Sequence, residues 1–298
     1  MNDGDRNTAQ RINIPDPNLI GGMTPWEVDF RQLEPGRLDT RLRVRQGAVL
    51  TLLELSMNRG VHQNGMAPPE TVTLGIPLSA GLSGWQGQDV TPAEMISFGS
   101  SQGFDGVSDA RFHGLTFSVP VPAVEALAAR LGIPLPESLR HSGVFPDQTE
   151  HRQLRHVAAR ACQYLSSNAP TDRTIEEDII AGLLRASDAT DRGADRSSSK
   201  TRARAVRLAL EVMEANAEEN LPIGDICDFA TVSERTLNRA FNERFDVGPK
   251  AYFLRMRLGR VRHDLLHAND GETISDIANR WGFWHMGQLA REYQKQFG

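Results

Sequence analysis

Along the first part of the chain, hydrophobic and polar residues alternate with a period of two. Arg41-Leu42-Arg43-Val44-Arg45 and Thr71-Val72-Thr73-Leu74-Gly75-Ile76-Pro77-Leu78 follow this pattern, whereas Ala48-Val49-Leu50-Thr51-Leu52-Leu53-Glu54-Leu55 is almost continuously apolar. Period two predicts a half-covered strand, and a short unbroken run predicts a strand buried on both faces. Ala93–Phe98 and Arg111–Val119 extend the series, and Gly60, Gly65, Gly81, Gly84, Gly87 and Gly99 punctuate it. Short strands separated by glycine-rich turns predict a β-sandwich or barrel from about Trp26 to Pro120.

After Pro120 the period becomes that of a helix. Val124, Leu127, Ala128 and Leu131 predict a short helix stopped by Gly132 and Pro134. Leu154, Val157, Ala158, Ala161, Cys162 and Leu165 predict a second; Asn168-Ala169-Pro170 breaks it, and Ile175, Ile179, Ile180, Leu183 and Leu184 begin a third. Such a helical pair either covers the open face of the β region or pairs with a second subunit. Ser187–Lys200 has no large apolar residue and reads as a linker, and helix resumes at Ala205–Met213. The expected division is a polar leader over 1–18, a β-rich domain with a helical hairpin over 19–186, a linker over 187–200 and an all-helical domain over 201–298.

The helical domain writes one pattern twice. Leu237-Asn238-Arg239-Ala240-Phe241 with Phe245 returns as Leu289-Ala290-Arg291-Glu292-Tyr293 with Phe297. Leucine, aromatic and phenylalanine fall at i, i+4 and i+8, one face of a helix, and the arginine points away from it. Ile223-Gly224-Asp225-Ile226-Cys227 precedes the first copy and Ile274-Ser275-Asp276-Ile277-Ala278 the second. Each half is a predicted helix-turn-helix, with Ser233 capping one outward helix and Gly282-Phe283 supplying the other, one-residue-longer turn. Pro249 starts a long linking helix with Tyr252, Phe253, Met256, Val261, Leu265 and Leu266 on its apolar side, ended by Asn269-Asp270-Gly271.

These residues resemble the double helix-turn-helix domain of the AraC/XylS family of bacterial transcription regulators. The likeness rests on Ser233-Glu234-Arg235-Thr236-Leu237-Asn238-Arg239-Ala240-Phe241, on Arg255-Met256-Arg257-Leu258, and on Ile274-Ser275-Asp276-Ile277-Ala278 followed by Trp281-Gly282-Phe283. It implies an α+β protein of two domains: a cupin-like β-barrel or jelly roll with appended helices that holds a small-molecule effector, and an all-α domain with two helix-turn-helix units. It further implies sequence-specific binding of double-stranded promoter DNA, activation of transcription with RNA polymerase as partner, and base contacts by Arg235, Asn238 and Arg239.

The chemistry of the outer faces agrees with that expectation. Arginine can clasp guanine and asparagine adenine, so Arg235, Asn238, Arg239 and Asn242 suit base edges. In the second unit Met286 suits a thymine methyl, and Gln288 or Arg291 a base or phosphate, although Gly287 weakens the helix start and Trp284-His285 replaces a small polar cap. Charge does not announce DNA: the net is −5, and residues 201–298 hold 14 basic against 14 acidic residues. Local positions of arginine must therefore carry phosphate binding.

Other chemistries find less footing. His62 and His113 are well separated and lack the spacing of a metal site, so neither a metal nor a cofactor is expected. Gly99–Gly106 has no Gly-Lys-Ser/Thr, and Cys162 and Cys227 sit at apolar helical positions in different domains. The rival reading is a small-molecule enzyme or binding protein with a helical interaction module. No run of 18 apolar residues and no signal peptide are visible, which predicts a cytoplasmic protein without a membrane span. The effector pocket has no signature, though Trp26 and Trp85 are candidates to line it, against the ordinary reading as core.

Overall fold

A computed structural model describes residues 10–14, 16–92, 94–99, 103–135, 137–146, 152–167, 169–188, 200–219, 221–269 and 271–298. Most of the expected linker, the first half of the leader and the centre of the glycine-rich loop lie outside the described residues. The chain divides into two units: one holds residues through Phe30 and then Asp39–Gly193, the other Arg31–Leu38 and Ala194–Gly298.

The first unit contains twelve described strands. In order they are β1 (Gln10–Ile14), β2 (Glu27–Gln32, entering the second unit at Arg31), β3 (Thr40–Gln46), β4 (Thr51–Met57), β5 (Val61–Met66), β6 (Thr71–Pro77), β7 (Leu82–Trp85), β8 (Gln88–Asp89), β9 (Glu94–Phe98), β10 (Phe104–Ser108), β11 (His113–Pro120) and β12 (Ser142–Pro146). Its helices are α1 (Ile20–Met23), α2 (Val121–Leu131), α3 (Arg152–Ser166) and α4 (Arg173–Asp188). Part of the expected leader is ordered, because β1 pairs antiparallel with β3, Ile12 opposite Leu42.

The strands form one seven-stranded sheet, β1-β3-β4-β11-β6-β9-β12, and one five-stranded sheet, β2-β5-β10-β7-β8. The cupin-like barrel or jelly roll implied by the family resemblance is therefore corrected: neither sheet closes. Closure requires the hydrogen-bond ladder to return on itself, whereas β1, β12, β2 and β8 each end a sheet with one neighbour. The larger sheet instead serves as a middle layer. Leu50, Leu52, Leu74, Phe117 and Val119 face α2, α3 and α4 in the main core. Ile96 and Phe98 of the same sheet join Leu82, Trp85 and Phe104 of the smaller one in a second core. This explains the nearly unbroken apolar run around β4, whose strand is covered on both sides.

Buried charge ties the helical hairpin to the sheet. Arg45 is fully buried, donates to the carbonyls of Tyr164 and Ser167 at 2.6 and 2.5 Å, and lies 4.1 Å from the Tyr164 ring centroid. The buried Glu176 carboxylate accepts from the backbone N–H groups of Ala48, Val49 and Leu50 at 3.0, 2.7 and 3.2 Å, and from the Tyr164 hydroxyl at 2.5 Å. Of the two roles expected for the hairpin, the structure shows the covering one.

His62 has Asp105 at 3.1 Å and His113 has Glu54 at 2.8 Å, so each histidine meets a carboxylate of its own. Among the described residues no helix is long and apolar enough to cross a membrane. Cys162 and Cys227 are free thiols in different units, both pushed up by burial.

Glu176→Gln turns one acceptor oxygen into a donor facing backbone N–H groups. It is expected to cost roughly 2–3 kcal/mol in urea unfolding of the full chain; a loss below about 0.5 kcal/mol contradicts this role. Burial, then the Glu176 carboxylate, pushes Tyr164 from 10.0 up to about 12. Because its folded value exceeds the unfolded one, its contribution is complete below pH 10 and is lost as pH rises toward 12. Unfolding midpoints across that window should fall less in Tyr164→Phe than in the parent.

Candidate nucleic-acid interface

The second unit is built from α5 (Lys200–Ala215), α6 (Ile223–Ala230), α7 (Glu234–Phe245), α8 (Pro249–Leu266), α9 (Ile274–Arg280) and α10 (Met286–Phe297). In the first helix-turn-helix, Thr231 ends α6 in the left-handed region, φ 55°, and the Ser233 hydroxyl accepts from Thr236 N–H at 3.3 Å to start α7. In the second, Thr273 and Asp276 form a reciprocal capping box on α9, and the Thr273 hydrogen bonds hold the Asp276 carboxyl below its usual range. Three residues join α6 to α7 and five join α9 to α10, so the second turn exceeds the expected single-residue difference. Its added length follows from Gly282, which at φ 72° takes the chain out of helical geometry.

Arg257 of α8 braces that turn. It is 4 % exposed, and its Nε and Nη2 donate to the Trp281 carbonyl at 2.9 and 2.7 Å. The guanidinium also sits 4.6 Å from the Phe283 ring centroid. Burial lowers its pKa from the ordinary arginine value. A Cβ on Gly282 would lie 2.4 Å from Arg257 Nη2 and 2.8 Å from the Glu218 carbonyl oxygen. Only glycine leaves room for the brace. Trp281 adds an indole N–H donated to Asp264 at 2.8 Å, so α8 holds the α9–α10 turn from two of its residues.

The two outward helices follow their periodicity. Leu237, Ala240, Phe241 and Phe245 are buried under α7, with Phe241 and Phe245 packed on Tyr252 of α8 at ring-centroid distances of 5.5 and 4.7 Å. Arg235, Arg239 and Asn242 are exposed and Asn238 is half-buried. Arg239 is held along its own helix, its Nε donating to Glu243 at 2.8 Å, while Arg202 of α5 reaches the other oxygen of that carboxylate at 3.0 Å. The hydrogen bond from Arg239 holds the Glu243 carboxyl below its usual range. The Asn238 amide donates to the Glu234 carbonyl and the Asn242 amide to the Asn238 carbonyl, at 3.0 and 2.8 Å. Arg235 makes no ion pair with a described residue.

On α10, Gln288 and Arg291 are exposed beside Gly287, and Arg291 likewise has no ion pair with a described residue. Met286 lies inward, partly buried against the core of Leu258, Ala278, Leu289 and Phe297. A thymine methyl is thus a poorer partner for it than its sequence position suggested. His285 starts α10 without a side-chain cap, and Trp284 before it is 71 % exposed.

One contributor escaped the sequence reading. Residues Arg31–Leu38 belong to this unit. Arg31 donates to the Tyr252 hydroxyl at 3.0 Å and pairs with Glu214, while the Gln32 and Gln296 amides each donate to the other's backbone carbonyl at 2.9 and 3.0 Å. Arg255 bonds the Leu33 carbonyl. A buried polar group needs a partner, but neither Arg31 nor Arg255 names one from sequence, because the partners lie 183 to 222 residues away.

Residues 226–298 match the family model described as a helix-turn-helix domain. The chain is 36% identical over 94 residues to a probable thc operon regulatory protein of Rhodococcus erythropolis, covering 31% of this chain and 28% of that one. It is 35% identical over 113 residues to the regulatory protein HrpB of Ralstonia nicotianae, 38% and 23% of the two chains. To the transcriptional activator RhaS of Klebsiella pneumoniae it is 26% identical over 155 residues, 51% and 52%. The matched stretches span about a quarter to a half of these relatives. The similarity of the C-terminal region to AraC/XylS-type regulators is thereby established.

Gly282→Ala forces a non-glycine residue to positive φ and places its Cβ against Arg257 and a backbone carbonyl. The expected cost is about 1–3 kcal/mol in urea unfolding, with amide exchange accelerating in α9 and α10 before α6 and α7. Equal acceleration in all four helices, or no change, contradicts the brace.

Proposed function

We propose that this chain is a sequence-specific transcription regulator, an activator, that binds double-stranded DNA through α7 and α10. The observation that carries the reading is the duplicated helix-turn-helix, with an exposed arginine on each outward helix and one rigid connector between them. With 18 residues, α8 is about 27 Å long at 1.5 Å per residue. That is near the roughly 34 Å of one turn of B-DNA, so the two outward helices suit successive major grooves on one side of a duplex.

Within this reading Arg235 and Arg239 address guanine edges and Asn238 and Asn242 adenine edges, the last three after exchanging their contacts along α7 for contacts with bases. Gln288 and Arg291 anchor α10, chiefly on phosphate. The β-rich unit holds a small-molecule effector that shifts the population of DNA-binding arrangements. RNA polymerase is the protein partner, and a homodimer through the α3–α4 hairpin is the assembly that the exposed side of those helices allows. A gel shift on the gene's own upstream region tests the core of the proposal; binding no tighter than to a scrambled duplex refutes it.

The two helices should differ. Arg239→Ala is expected to lower the operator-to-scrambled affinity ratio by about 1–3 kcal/mol at its base pair. Arg291→Ala should weaken both duplexes alike and reduce the salt slope by about one. Affinities at several salt concentrations for both variants decide it. If Arg291→Ala abolishes discrimination while Arg239→Ala leaves the ratio unchanged, α10 is the principal reader.

A further inference from the structure

Between the two sheets of the first unit lies an apolar cavity whose origin is legible strand by strand. On β11 the residues facing the helices are large, Leu115, Phe117 and Val119, whereas their alternates are Gly114, Thr116 and Ser118. On β6, Leu74 and Ile76 likewise alternate with Thr73 and Gly75. Gly75, Gly114 and Thr116 line the cavity, with Ile96 and Phe98 packed over Gly75 and Phe112 over Gly114. The space left for the centres of water-sized groups is about 50 Å³, several times the roughly 10–15 Å³ that one requires.

Aromatic rings close the opposite wall. Trp26, Phe98 and Phe104 line it, with Trp26 edge-on to Phe98 and Phe104 at centroid distances of 4.9 and 5.9 Å. Trp85 stacks on Phe104 at 5.3 Å but is spent as core, its indole N–H donated to the Ser97 carbonyl at 3.0 Å. Trp26 stays half-buried. It and Leu53 also line a surface groove beside β1, which offers a way in.

One buried polar side chain lines the cavity without a hydrogen bond to a described residue. Gln63 of β5 is 7 % exposed and lines the cavity. Its side-chain amide makes no hydrogen bond with a described residue. The amide is aimed there by Gly106, its register partner on β10: a Cβ at Gly106 would lie 3.1 Å from Gln63 Nε2 and 2.8 Å from the Trp85 ring. Buried polar groups are almost always hydrogen-bonded, so the Gln63 amide is left to whatever occupies the cavity, water or ligand. Among the described residues no charged side chain lines the cavity, so a carboxylate or ammonium would be stripped of water without compensation from them.

We propose that this cavity binds a small, uncharged, largely apolar ligand, of about one ring, carrying a single hydroxyl, carbonyl or amide that pairs with Gln63. This names the effector class for the regulator proposed above and rests on that reading for its regulatory role, though not for binding itself.

The probe is 4-methylphenol, compared with toluene, which lacks the polar atom, and with benzoate, which adds charge. Saturable thermal stabilisation of the full chain is measured for the parent, Gln63→Leu and Thr116→Leu, and each ligand-free melting temperature serves as the folding control. The parent should bind 4-methylphenol at least about tenfold more tightly than benzoate. Gln63→Leu should weaken 4-methylphenol about tenfold and leave toluene unchanged or tighter; Thr116→Leu, which fills the space, should weaken both. Loss of one hydrogen bond in a buried site supports a tenfold effect. The proposal is overturned if benzoate binds as well as 4-methylphenol, if none of the probes binds, or if neither variant alters binding while melting like the parent. Operator affinity is measured in the same samples. Cavity-dependent binding that leaves DNA affinity unchanged upholds the site and removes its role as an effector site, whereas failure to bind DNA under any condition removes the regulator reading alone.

Discussion

Buried charge that must be met by backbone groups sets the geometry of both units. Glu176 gathers three N–H groups from the turn between β3 and β4. Arg45 takes carbonyls at the end of α3, where a helix leaves its last acceptors unpaired. Arg257 does the same at the end of α9. Removing one such partner leaves an uncompensated charge in low dielectric, which costs far more than a surface ion pair contributes. Each contact therefore fixes an angle between elements that apolar packing alone would leave adjustable.

The consequence for the β-rich unit is a sheet with two unlike faces. Its outer face must fill the space under α2, α3 and α4, and it does so with leucine, isoleucine, phenylalanine and valine. Its inner face meets a smaller sheet already rich in aromatic rings, and there glycine and threonine stand at the centre. Small residues on a central strand weaken it unless something approaches closely. At Gly75 that close approach is made by Ile96 and Phe98, and at Gly114 by Phe112.

In the helical unit the same rules separate support from recognition. The apolar seams of α7 and α10 are used up by α8, so only the polar faces remain for a partner. On α7 these groups are occupied: Arg239 with Glu243, and the two asparagines with carbonyls one turn back. Any partner that displaces these contacts must offer better geometry than the helix does. Arg235 and Arg291 carry no such competing ion pair among described residues.

Local pattern was enough for much of this. The duplicated seam, the Ser233 cap and the strands around Leu42, Leu52 and Leu74 were legible because period and capping depend on neighbours within a few residues. So was the outward set of Arg235, Arg239, Asn242, Gln288 and Arg291. Periodicity could not tell an open pair of sheets from a barrel, since strands alternate identically in both and only the pairing of β1, β12, β2 and β8 decides. Nor could it separate Trp26 from Trp85, or turn Met286 inward, because those outcomes depend on which distant surface each side chain meets. The sequence by itself determined elements, faces and the duplicated helix-turn-helix. The tertiary structure alone decided the open sheets, the incorporation of Arg31–Leu38 into the helical unit and the place of Gln63 on the cavity, because each joins residues far apart in the chain.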